Sequence, residues 1–312
     1  MPSYKTALVT YPHTQPLKDG TVVPRTFAFD FEEVAPIIKA FRRMVRGLEF
    51  DISEMAITTY LTAKAHGKRF TAIPVFPMRA FHNGAILYNA NSDIRSPKDL
   101  EGRKVGVNRG YTVTTGLWAR AILQHEYGVD LRKVTWVLSG DEHVAEYRPP
   151  ANVVPAPEGR TLEEMLLAGD LAAANGVQMD SPEIKPLLPN AAEAGLAGLR
   201  AGGLYPINHT VVVKDDVLAA HPDLGADLFD ACVRAKEIYV NRLKSGAVAQ
   251  PTAADKTFAS VMAITGDPLP YGVAPNRREI EAVMQYSVEQ GILPRPFALD
   301  EIFAKGTLDL VG

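Results

Sequence analysis

Apolar and polar positions alternate with two periods along this chain. The run Tyr4-Lys5-Thr6-Ala7-Leu8-Val9-Thr10-Tyr11 reads as a buried strand, and it ends in the turn-prone Pro12-His13-Thr14. Asp19-Gly20 marks a turn and predicts a hairpin. From residue 31 to 46, Val34, Ile37, Ile38, Phe41 and Val45 recur at helical spacing, with Gly47 as the stop. Phe50-Asp51-Ile52 is a short strand, and Ser53 is positioned to cap a helix running to about His66. Residues 70–76 form another apolar strand. The order βαβαβ predicts a mainly parallel sheet with helices on its faces.

Further strands are expected at 85–88, 104–107, 133–138, 171–174 and 210–214. Helices are expected after Tyr111 to about Tyr127, and at 162–167, 222–244, 255–265 and 277–290. The Pro-rich stretch 147–160 reads as an exposed loop, and the Gly- and Ala-rich 195–203 as a connector. Two α/β clusters joined by crossings near 85–95 and 203–214 describe two lobes. Lobe one is discontinuous, from residues 1–90 and 206–312, and lobe two spans 91–205. A cleft between them would gather strand C-termini and helix N-termini.

Composition narrows the partners. Hydrophobic residues make up 46% and charged residues 22% of 312, as in a globular protein. Lys and Arg total 33 against 36 Asp and Glu, so no basic excess exists to hold nucleic acid. A lone cysteine, Cys232, leaves no disulfide framework and no Cys-based metal site. No window approaches the roughly 18 apolar residues of a membrane span. The opening residues run straight into a strand without the pattern of an export signal, so the expected location is the cytoplasm. Self-association into a homo-oligomer is left open.

The stretch Ile94-Arg95-Ser96-Pro97-Lys98-Asp99-Leu100-Glu101-Gly102-Arg103-Lys104-Val105-Gly106-Val107 resembles the start of lobe two in type II periplasmic-binding proteins. A narrower resemblance is to the 4,5-dihydroxyphthalate decarboxylases, which are similar to those receptors in fold. Asp51-Ile52-Ser53-Glu54-Met55, Ile73-Pro74-Val75-Phe76-Pro77-Met78-Arg79-Ala80-Phe81, Glu126-Tyr127-Gly128-Val129-Asp130, Gly159-Arg160-Thr161-Leu162 and Tyr271-Gly272 with Asn276-Arg277 carry it. These stretches span nearly the whole chain in order. Three features depart from the family pattern: His82-Asn83 replaces an Arg-His pair, Ala172 replaces an acidic residue, and residues 108–114 look receptor-like.

The resemblance implies a bilobed α/β fold and decarboxylation of a hydroxylated aromatic carboxylate, with no metal or organic cofactor required. Simple loss of CO2 from a ring would leave an unstable aryl carbanion. Protonating the ring carbon first, with electrons pushed from a para hydroxyl, avoids it; that route needs a placed acid and donors for the spectator carboxylate.

Glu54 is the expected acid if desolvation raises its pKa; an exposed first-turn carboxylate complementing a helix N-terminus is the competing reading. His209 resembles a family histidine and is the second titrating candidate, against a buried hinge histidine. His82 is a third, weakened by the family mismatch. Arg79 is expected to grip a carboxylate, against a simple ion pair. Arg109, Gly110, Tyr111 and Thr114 form an anion-binding turn at a helix start, or an ordinary β–α turn. Tyr205, Asn208 and His13 complete the expected substrate contacts. Glu142, His143 and Glu146 read as a solvated helix end rather than a metal site. The expected partner is a small anionic aromatic substrate, and the competing function is a non-catalytic solute-binding protein for a small anion.

Overall fold

The structure, a computed structural model, describes residues 1–188 and 190–312. Among these residues the strands, in chain order, are β1 (Ser3–Ala7), β2 (Ala28–Phe31), β3 (Ile52–Ala56), β4 (Phe70–Ile73), β5 (Ile86–Asn89), β6 (Lys104–Val107), β7 (Thr135–Leu138), β8 (Val153–Pro155), β9 (Ala173–Asn175), β10 (Ile184–Pro186) and β11 (His209–Lys214). The chain divides into two compact units. The first comprises Met1–Arg79, Ile207–Glu281 and Phe297–Gly312; the second comprises Ala80–Pro206 and Ala282–Pro296.

The first unit holds a five-stranded sheet in the order β2-β1-β3-β11-β4. β1 runs parallel to both β2 and β3, whereas β11 is antiparallel to both β3 and β4. Only β11 is reversed, and it is the strand on which the chain returns from the second unit. A returning strand is not bound by the crossover rule that makes consecutive βαβ strands parallel. The parallel pairing of β1 with β2 corrects the hairpin expected at Asp19-Gly20. That turn instead follows a short helix, Gln15–Lys18, within a crossover.

Phe29 and Phe31 alternate through β2, continuing from Phe27 just before it, and the helix expected from residue 31 starts at Ile38. It buries Ala40, Phe41, Met44 and Val45 against the sheet, the one-sided stripe of an amphipathic helix. β3 reads Ile-Ser-Glu-Met-Ala and is buried at every position. Ser53 therefore lies in a central strand and caps no helix; its hydroxyl donates to the Glu54 carbonyl. The next helix, Ile57–Ala65, starts behind Ala56, which has no capping side chain, and the Ile57 amide donates to the Asn208 carbonyl at 2.8 Å.

The second unit holds a six-stranded sheet in the order β10-β5-β9-β6-β7-β8. Here β5 alone is reversed, again the first strand after the chain changes unit. The helix Leu162–Leu167 opens with reciprocal bonds between Thr161 and Glu164 and packs Leu162, Met165 and Leu166 on Val137, Leu171 and Ala174. Two local expectations are corrected, and one helix was not expected. Residues 195–200 are helical, as the end of Ala191–Arg200, because that segment carries four alanines and two leucines against two glycines. The Pro-rich stretch 147–160 contains the edge strand β8, where proline is tolerated. A helix at Asp215–Ala220, short and without a buried face, gave no periodic signal. Among the described residues no helix is long and apolar enough to cross a membrane.

Candidate active site

Glu54 stands at the centre of β3 with no exposed surface. β11 lies beside it in the register Val211↔Glu54 and His209↔Ala56. Residues two apart on a strand share a face, so His209 is the diagonal neighbour of Glu54. Its Nδ1 lies 2.5 Å from Oε1 of Glu54. The Tyr11 hydroxyl donates to the same oxygen at 2.9 Å, and the Val9 amide donates to Oε2 at 3.0 Å. Both donors sit just beyond β1, the neighbour of β3 on its other side.

Burial pushes the Glu54 carboxyl up, but the hydrogen bond and charge of His209, aided by Val9 and Tyr11, bring it below the usual carboxylate value. Glu54 is therefore ionised at neutral pH. This corrects the expectation that desolvation would make it the proton donor. A carboxylate only accepts, so His209 Nδ1 carries the hydrogen and Nε2 is the nitrogen left to exchange a proton. Exposure agrees with that division, because 12% of the His209 side chain is accessible and none of Glu54. The Phe41 ring meets the imidazole edge-on at 5.1 Å and limits its rotation.

His13 joins this cluster through Tyr11, whose ring stacks on it at 5.0 Å with a 6° interplanar angle. Burial pulls its imidazole down to about 4, against the opposing effects of the Pro77 carbonyl and Glu54. Arg79 is buried, with its backbone bridged to Ile207. Tyr271, whose phenol burial pushes well up, lies in the fields of both Glu54 and Arg79. Asn208 is also buried, and its amide donates to the Met78 carbonyl at 2.9 Å. Glu54, His209, His13, Arg79 and Asn208 thus share the first unit. Sequence reading did not single out Tyr11; a hydroxyl-bearing aromatic just past an apolar strand and two residues before His13 was its only signal.

The remaining candidates belong to the second unit. His82 is buried and lines a cavity of about 290 Å³ with Phe81, Trp118 and Tyr286. Tyr205 is buried, its ring 4.9 Å from that of Phe81. In the expected anion-binding turn, Arg109 adopts a left-handed backbone with φ of 72°, and its amide donates to the Ser139 hydroxyl. The Tyr111 amide donates to Oε1 of Glu142 at 2.5 Å, and the Thr112 amide and hydroxyl donate to Oε2 at 3.2 and 2.6 Å. Donors offered by the sequence to a ligand's anion are thus engaged by the protein's own carboxylate. Glu142 is correspondingly a turn-binding residue and not part of a solvated helix end. Thr114 begins the helix Thr114–His125.

Beneath this turn lies Arg120, fully buried, its guanidinium 3.9 Å above the Tyr111 ring. It donates to the Tyr111 carbonyl at 2.7 Å and to Gln290 at 2.8 Å. Among the described residues no group of three His, Cys, Asp or Glu side chains is arranged to hold a metal ion.

A family model described as NMT1/THI5 like matches residues 51–149. The fold is that of the periplasmic binding proteins. A solved Candida albicans protein described as having the generic periplasmic binding protein structural fold superposes with a TM-score of 0.56 at 14% identity, covering 100% of this chain and 99% of that one. The 4,5-dihydroxyphthalate decarboxylase of Comamonas testosteroni is 28% identical over 97% of this chain and 96% of its own length. That of Pseudomonas putida is 34% identical over 56% of this chain and 70% of its own length. On these relationships, the chain belongs to the family of 4,5-dihydroxyphthalate decarboxylases.

Proposed function

We propose that the protein is a carboxy-lyase that removes CO2 from a small hydroxylated aromatic carboxylate of the 4,5-dihydroxyphthalate kind. The observation that carries the reading is the Glu54–His209 pair, in which an enclosed carboxylate holds one face of an imidazole whose other nitrogen can exchange a proton.

In the proposed reaction, protonated His209 delivers its Nε2 proton to the ring carbon that bears the leaving carboxylate, while the para hydroxyl feeds electrons into the ring. The carbon–carboxylate bond then breaks, its electron pair restores the aromatic ring, and CO2 departs. The imidazole regains a proton from solvent, so each turnover consumes one proton and exchanges a carboxylate for a ring hydrogen. Glu54 is the positioning residue that fixes the His209 tautomer and ring orientation. A placed general acid of this kind contributes about 10²–10⁴-fold in rate. Arg79 is assigned to a substrate carboxylate, for which its planar guanidinium is suited. Every step is a proton transfer or a bond cleavage that draws only on ring electrons and ionisable side chains.

The test is incubation with 4,5-dihydroxyphthalate and related hydroxybenzoates, following CO2 release together with ligand-induced melting shifts. CO2 release by the wild type and its loss by at least about 100-fold in His209→Asn, with the melting shift retained, is the expected result. Melting shifts across the panel without CO2 would identify a solute-binding protein instead.

A further inference from the structure

We propose that Nδ1 of His13 reads a ring hydroxyl of the substrate, accepting a hydrogen bond that a purely carboxylated ring cannot donate. The inference rests on the decarboxylase reading above and specifies how the same site would recognise the hydroxylated class.

His13 is 2% exposed and its ring is held by two independent contacts. Nε2 lies 2.9 Å from the carbonyl oxygen of Pro77. A carbonyl has no hydrogen to give, so Nε2 carries the ring's hydrogen and Nδ1 of the neutral imidazole is a bare lone pair. The second contact is the Tyr11 stack, and Tyr11 is itself bonded to Glu54. The ring plane is thereby tied to the element that orients the acid–base pair. Tyr239 and Phe258 flank the ring at 5.9 and 6.3 Å, both through apolar ring faces or edges.

Nδ1 itself is buried and has no hydrogen-bond partner among the described residues. Buried acceptors without donors are rare in folded proteins and mark a place for a water or a functional demand. Protonation does not relieve this one at neutral pH, because burial holds the imidazole down at about 4. The position calls for a donor brought from outside the chain. A substrate carboxylate only accepts; a phenolic hydroxyl donates and matches the lone pair. The preference has a chemical consequence as well. A hydroxyl held by an acceptor is electron-richer, and this is the group whose electrons must enter the ring before CO2 can leave.

Binding to the full-length protein is measured calorimetrically for 4,5-dihydroxyphthalate, unsubstituted phthalate and 4,5-dimethoxyphthalate. The wild type is expected to bind the dihydroxy compound roughly tenfold or more tightly than either of the others, since neither can donate. His13→Phe keeps a stacking ring and removes the acceptor, so the three ligands should become equal to within about twofold. His13→Gln can place an amide N–H on Pro77 and an amide oxygen near the vacated Nδ1, and should restore part of the preference. Wild-type discrimination that survives in His13→Phe would overturn the inference and assign Nδ1 to a resident water. Equal wild-type affinity for the dimethoxy compound would overturn it without any variant. If the wild type binds none of the three, the substrate reading itself fails and takes this inference with it.

Discussion

Gly110 and Glu142 occupy adjoining space so closely that a Cβ on Gly110 would stand 2.5 Å from Oε2 of Glu142. The glycine is what lets an internal carboxylate reach the amides of Tyr111 and Thr112. Gly110→Ala should therefore expel Glu142 and lower stability by about 1–3 kcal/mol, the cost of leaving buried amides unmatched. Glu142→Ala should free the same donors for an external anion. Sulfate is then expected to raise the melting temperature of Glu142→Ala by several degrees more than that of the wild type. Equal sulfate shifts would show that the turn does not receive anions.

His13 predicts a pH dependence of stability with a definite sign. The unfolded chain binds a proton at this histidine near its ordinary value of 6.5, whereas the folded protein refuses it until about 4. Between those values the unfolded state holds more protons, so stability falls as pH drops through the window. The loss amounts to about 3 kcal/mol over the full window, at about 1.4 kcal/mol per pH unit. Urea unfolding at pH 7, 5.5 and 4.5 should show the slope in the wild type and its reduction in His13→Phe.

Tyr11→Phe removes one of the three donors to Glu54 while preserving the ring that stacks on His13. With less stabilisation of its ionised form, the carboxylate should hold His209 less firmly. Turnover is expected to fall roughly five- to tenfold with substrate affinity little changed, as is appropriate to a positioning group rather than a proton donor. Steady-state kinetics that separate kcat from KM make the distinction.

Glu54 is expected to confer acid sensitivity of its own. Its carboxyl lies below the ordinary value in the folded protein. Its contribution is therefore complete above the unfolded value and is lost as pH falls through the folded one. Glu54→Gln should flatten the acid limb of the stability profile below the ordinary carboxylate value of 4.5 while abolishing proton delivery by His209. An unchanged acid limb would show that another carboxylate dominates there.

Arg120 should be intolerant of lysine. Its guanidinium bonds Tyr111 and Gln290 at once while lying over an aromatic face, an arrangement that a point-like ammonium cannot reproduce. Arg120→Lys is expected to cost about 2–4 kcal/mol, read as a lowered denaturation midpoint.

Local structure was legible wherever one residue's environment is set by its near neighbours. β6 has the same bounds as the expected strand, because Lys104-Val105-Gly106-Val107 is a short apolar run between turn signals. The helix Leu162–Leu167 also has its expected bounds, and the structure shows that a local device, the Thr161–Glu164 box, starts it. Ser53 misled because a capping residue type also fits a strand, and only pairing with β1 and β11 decides between the two. Glu142 was obscured because its role depends on a turn some thirty residues earlier in the chain.

The amino-acid sequence by itself determined an α/β protein built from alternating strands and helices; it offered Glu54 as an ionisable side chain after an apolar strand, and His209 through its resemblance to a family histidine. Tertiary structure decided that these two, 155 positions apart, share one hydrogen bond. It also decided that the carboxyl is ionised, that Tyr11 supports it, and that Glu142 sits on the loop amides. The physical reason is that periodicity and propensity act over a few residues. The protonation state of a buried group depends on every charge and donor within a few ångströms, whichever part of the chain supplies them.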